Sequence, residues 1–175
     1  MLKKLFLLAF CLCSACTLMG GDNEETSGGL KKMPCPNVVI NRSEAYLSQT
    51  QGYTTPFKIE LYGYEGYCWF DAKTKQPKAN LTPLFKLIRL NGSKAEAFVM
   101  FDWFYRTSEG PTAFLGEKTF AEQTTVPVST QVYKFRGKTV NVRVPTLEDS
   151  IFQINLGLRM TNQEKQYNDT AFDLN

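Results

Sequence analysis

The chain has 175 residues, 43% hydrophobic and 21% charged, the balance of one soluble globular domain rather than a disordered or polytopic chain. It contains no histidine, which removes the commonest general base and the commonest metal ligand, and with them most familiar hydrolase and metalloenzyme designs. The formal charge is +3, with basic residues scattered among acids and no stripe to neutralise a run of phosphates, which excludes nucleic acid as a partner.

The first elements form an address. Met1 to Lys4 is a positively charged start, Leu5 to Leu12 (LFLLAFCL) is a short apolar run, and small residues precede Cys16. This is the layout of a signal peptide, and the run is far below the roughly 20 residues that span a bilayer. Ser14-Ala15-Cys16 resembles the lipobox of bacterial lipoproteins, with Cys13 where that pattern usually has Leu. The resemblance implies cleavage before Cys16 and acylation of Cys16, anchoring the chain in a lipid bilayer. The alternative is an ordinary secretory signal cut near Ala15 or Gly20. Thr17 follows the cysteine where lipoproteins kept in the inner membrane of enteric bacteria carry Asp. The outer membrane, facing the periplasm, is therefore the expected location, with the inner membrane as the alternative.

The expected organisation is signal peptide 1–15, lipidated flexible tether 16–33 and β-sandwich domain 34–175. Thr17 to Lys32 is polar and rich in Gly and charge, too poor in apolar surface to order itself. Some 18 such residues reach about 23 Å. Removing Lys3 and Lys4 from the 20 basic residues leaves 18 against 17 acidic ones, a nearly neutral mature chain.

Cys35 and Cys68 are the two cysteines that remain once Cys11 and Cys13 leave with the signal peptide and Cys16 is acylated. In an oxidising compartment such a pair forms a disulfide. The loop it closes is worth about 3.8 kcal/mol in the chain-entropy model. A redox couple would have C-x-x-C spacing, and zinc would need ligands that a His-free chain lacks.

From Cys35 the sequence is a succession of short strand-like runs. Val38 to Ile40 comes first, then Phe57, Ile59 and Leu61 alternating with Lys58 and Glu60. Gly63 and Gly66 predict a kink or turn before Tyr67 to Asp71, and Pro77 and Pro83 predict a loop. Leu84 to Leu90 and Ala95 to Tyr105 flank Asn91-Gly92, which predicts a hairpin. Ala113 to Gln123, Gln131 to Phe135 and Thr139 to Val144 follow. Ser150 to Met160 is the clearest strand, with Phe152, Ile154, Leu156, Leu158 and Met160 on one face. Thr161 and Glu164 form a capping-box pattern that opens a helix of one or two turns over Thr161 to Asn168.

Seven or eight short strands with one short C-terminal helix predict an all-β antiparallel sandwich, immunoglobulin-like or fibronectin-like in general form, with a small closed barrel as the alternative. Cys35-Pro36-Asn37-Val38-Val39-Ile40, Cys68, Ile154 to Thr161, Glu164 and Tyr167-Asn168 together resemble small alphaproteobacterial lipoproteins of unknown function. That family offers no catalytic residues to carry over.

No spacing singles out a catalytic set, so no enzymatic activity, cofactor or metal is expected. Asp71, Asp102, Glu148 and Asp149 lack a D-x-D-x-D-G frame and read as solvated loop charges. Two binding functions remain. One is a non-enzymatic adaptor or envelope-assembly component that engages an envelope protein through its loops or an edge strand. The other is a cell-wall glycan module in which Tyr62, Tyr64, Trp69 and Tyr105 line an exposed sheet face. Core packing is the competing use of such aromatics.

Overall fold

A computed structural model describes residues 30–49, 56–90, 92, 94–110, 113–144 and 152–173. The described residues fold as a two-layer β-sandwich with one C-terminal helix, built of open sheets rather than a closed barrel. The strands are β1 (Leu30–Met33), β2 (Asn37–Ile40), β3 (Tyr46–Gln49), β4 (Phe57–Asp71) and β5 (Gln76–Arg89). They continue with β6 (Ala97–Glu109), β7 (Ala113–Val126), β8 (Val132–Arg136), β9 (Val140–Arg143) and β10 (Phe152–Leu158), and the chain closes on α1 (Asn162–Asp173). A 3-10 turn, Arg42–Glu44, links β2 to β3.

Sheet one has β4 and β5 at its centre, with each flank divided between two short strands. β1 and β3 pair with opposite ends of β4, and β8 and β9 with opposite ends of β5. Sheet two runs β2-β10-β6-β7, antiparallel except for the parallel pair of β2 and β10. Period-two alternation directs Phe57, Ile59, Leu61, Leu81, Phe85 and Leu87 of sheet one against Val99, Trp103, Ile154, Leu156 and Leu158 of sheet two. Each of these side chains contributes about 1.5–3 kcal/mol on burial, the main source of stability.

The structure departs from the sequence expectations at several points. β1 lies within the expected tether, so Leu30–Met33 of that segment is a strand. Gly63 and Gly66 do not end a strand: β4 runs through them and absorbs Tyr62 as a bulge, where the register shifts between Leu61 and Gly63. Pro77 and Pro83 lie in β5, not in a loop. The Pro83 carbonyl accepts from the Gly137 N–H, so its ring nitrogen faces the break between β8 and β9, where no ladder partner is lost. Pro77 faces past the end of β9 in the same way, its carbonyl accepting from the Val144 N–H.

The expected hairpin at Asn91-Gly92 is absent. β5 pairs with β4, β8 and β9 while β6 belongs to sheet two, so the segment carries the chain between layers, with Gly92 at φ +66°. Gly92 supplies positive φ as anticipated, but a turn signal does not say whether the second strand returns to the same sheet. The helix is also longer than one or two turns, although its start is as expected: the Glu164 N–H donates to Thr161 Oγ1 and the Thr161 N–H to Glu164 Oε2.

Cys35 and Cys68 are joined, with Cα atoms 5.1 Å apart. Cys35 lies where the chain leaves β1 in sheet one for β2 in sheet two, and Cys68 is buried on the inner face of β4. The bond therefore fixes an inter-sheet crossing that its own short strands hold weakly. Cys68→Ser is expected to cost about 2–5 kcal/mol and to lower the melting temperature by about 5–15 °C, read by calorimetry of the oxidised protein.

Candidate functional site

The residues expected to form an aromatic face do not form one. Tyr105 lies in the other sheet, points inward and is 7% exposed, its ring 5.8 Å from Phe120. Burial alone pushes its phenol pKa up. It belongs to a core stack in which Trp103 lies 4.8 Å from Phe120, so core packing accounts for it. Tyr64 is exposed but opposes Pro83 on the inner-face register of β4, whereas Trp69 opposes Lys78 on the outer face. Tyr62, displaced outward by the bulge, lies under Lys134 Nζ.

The outer face of sheet one has a different centre. Tyr67, 57% exposed, lies 5.3 Å from Trp69 centroid to centroid, and its hydroxyl accepts from Asn80 Nδ2. Alternation could have placed Tyr67 with Trp69, had the glycines before it not suggested a turn. The face also carries ion pairs, Lys86 with Glu60 and Arg136 with Glu65.

A second polar cluster fastens α1. Glu44 is 4% exposed, accepts from Lys165 Nζ at 2.9 Å and lies 3.7 Å from Arg106. Arg106 donates to Glu117 through Nε and Nη2, and Glu117 also accepts from Arg159. Asn168 Nδ2 donates to the carbonyls of Ser43 and Tyr46. Helix, 3-10 turn and sheet two are thus held by one alternating run of charge, and together they cover Phe104, which points outward yet is buried.

A third polar feature lies at the end of the sandwich. Arg89 is 2% exposed and donates to the carbonyls of Thr130, Val126 and Pro127, tying sheet one to the connection that leaves β7. Asp71 closes the β4–β5 hairpin. Lys78 Nζ, 2.6 Å away, does most to hold its carboxyl well below the ordinary carboxylate range, and the N–H groups of Thr74 and Lys73 add to this. These are structural roles. Among the described residues no three His, Cys, Asp or Glu side chains converge as metal ligands, and no helix is long and apolar enough to cross a membrane.

The sheet edges are unequal. Those of sheet one are broken into strands of four or five residues, and β2 has four. β7, on the open side of sheet two, runs for 14 residues with one register shift, at Leu115. Such an edge presents a long row of backbone donors and acceptors to a partner. Cys16 lies outside the described residues, as do Glu148 and Asp149. Compared with protein-family models, curated proteins and solved structures, the chain matches none.

Because the folded-state pKa of Asp71 is depressed, its contribution to the hairpin is present above the unfolded value near 4 and decays as pH falls below it. In a carbon-detected NMR titration the Asp71 carboxyl is expected to remain ionised at about pH 3, where ordinary carboxyls are protonated. Lys78→Ala should return its midpoint towards the ordinary range.

Proposed function

We propose that the chain is a lipid-anchored envelope protein, held at the outer membrane on its periplasmic side, that works by binding as an adaptor or envelope-assembly component. The observation that carries this reading is the Cys35–Cys68 disulfide in a chain that begins with a charged start, an apolar run and Ser14-Ala15-Cys16. A disulfide fits an oxidising compartment, and the N-terminus resembles the signal that delivers a lipoprotein there. The likeness of Cys35 to Ile40 and Ile154 to Thr161 to small alphaproteobacterial lipoproteins points the same way. Binding is favoured over catalysis because, among the described residues, the two titratable groups displaced from their ordinary range have structural uses: Asp71 holds a hairpin and Tyr105 fills the core.

The decisive variant is Cys16→Ala. In cells fed labelled palmitate, the wild-type chain should carry label and sediment with outer membranes, and the variant should lose the label and remain unprocessed. A variant still cleaved and still labelled would sink the assignment.

The second reading, a module for cell-wall glycan, is favoured by Tyr67 beside Trp69 on an outer sheet face. It expects co-sedimentation with purified peptidoglycan that falls at least about tenfold in Tyr67→Ala, in keeping with the loss of a stacking ring. Equal sedimentation of both proteins would remove it.

A further inference from the structure

The 14-residue edge β7 is not a neutral template. Its inner-face side chains pair with inward residues of β6: Lys118 opposes Tyr105, Phe120 opposes Trp103 and Glu122 opposes Phe101. The edge thus presents a cation, a half-buried aromatic ring and an anion at alternate positions. Charges on the inner side of an edge strand normally oppose pairing, because an arbitrary incoming strand would leave them facing apolar or like-charged groups. The penalty disappears for a strand that supplies the opposite charge at both positions.

A second copy of β7 does so. In an antiparallel pair the opposed side chains share a face, and a two-fold axis at Phe120 sets Phe120 opposite Phe120 of the other copy. The same register sets Lys118 opposite Glu122 and Glu122 opposite Lys118, so both charges are matched twice by one symmetry operation. It also matches Gly116 with Thr124 and so spans the regular part of the strand, on the C-terminal side of the bulge at Leu115. No register shifted by one or two residues along this strand pairs the lysine with the glutamate. The flat stack of Phe120 on Trp103 places an aromatic ring at the seam, where it can meet its symmetry mate. Glu122 keeps one oxygen for the Lys138 N–H of its own chain and has the other for the lysine across the seam.

We infer that the protein forms a symmetric dimer through antiparallel pairing of β7, centred on Phe120, with reciprocal Lys118–Glu122 ion pairs. The two copies of sheet two become one continuous eight-stranded sheet, four from each copy. This inference does not depend on the anchor or ligand proposed above.

Sedimentation equilibrium of the full chain, in density-matched detergent, tests it. The wild-type protein is expected at twice the chain mass. Lys118→Glu sets like charges opposite each other at both pairs and should raise the dimer dissociation constant by roughly tenfold or more, as should Glu122→Lys. Lys118 is solvent-exposed, so its reversal leaves the fold intact, which circular dichroism checks. An equimolar mixture of the two single variants restores both pairs and should recover the dimer, as should the double variant Lys118→Glu/Glu122→Lys. A monomeric wild-type protein, a dimer indifferent to both reversals, or a mixture that stays monomeric while both variants are folded would each overturn the proposal.

Discussion

The sandwich depends on how tightly its two layers close around Phe85. That ring meets Phe101 edge-on at 4.9 Å and lies 5.4 Å from Phe135 and 6.2 Å from Trp103, so both sheets and one flanking strand converge on it. The convergence leaves no room at Gly137, where an added Cβ would lie 2.4 Å from the Phe85 ring. A glycine there lets the backbone come in close and breaks the flank into β8 and β9. The break in turn gives Pro83 a place in an inner strand without losing a ladder hydrogen bond. One packing contact thus explains a glycine, a divided edge and a proline that each look anomalous alone.

Much of the fold is legible in the residues because burial on one face writes itself as alternation. Phe152 to Leu158 points its four large side chains inward as its spacing indicates, and Thr161 with Glu164 starts the helix where the capping pattern lies. What was not legible is long-range. Gly63, Gly66, Pro77 and Pro83 carry the composition of turns, yet two central strands run through them, because a bulge and a gap in the neighbouring flank remove the usual cost. Gly92 makes a bend that no local signal assigns to a change of sheet. The same limit governs the surface: Tyr105 and Trp69 are both aromatic residues in β-rich runs, and only the pairing of strands decides that one is core and the other faces out.

Charge is used sparingly and mostly to fasten elements. The run from Lys165 through Glu44, Arg106 and Glu117 to Arg159 alternates in sign, so each charge is neutralised by neighbours drawn from different elements. Burying Glu44 alone would be costly. Surrounded in this way, it holds the helix in place where the helix itself offers little apolar surface. Gly157 lets this layer approach, since an added Cβ would lie 2.6 Å from Phe104 and 3.0 Å from Glu44.

The position of β10 has a consequence for how the chain is made. β10 lies between β2 and β6, and it is the one strand with which β2 pairs among the described residues. A chain emerging from its N-terminus can form the β4–β5 and β6–β7 hairpins early, because their contacts are local. Sheet two cannot be completed until Phe152 to Leu158 has arrived, after every other strand described. Until then the inner faces of both layers lack their closing strand, and a chain stopped before Phe152 would leave β2 with nothing to join. Completion of the sandwich is thereby tied to delivery of its last strand, so products truncated before it remain open and within reach of proteases.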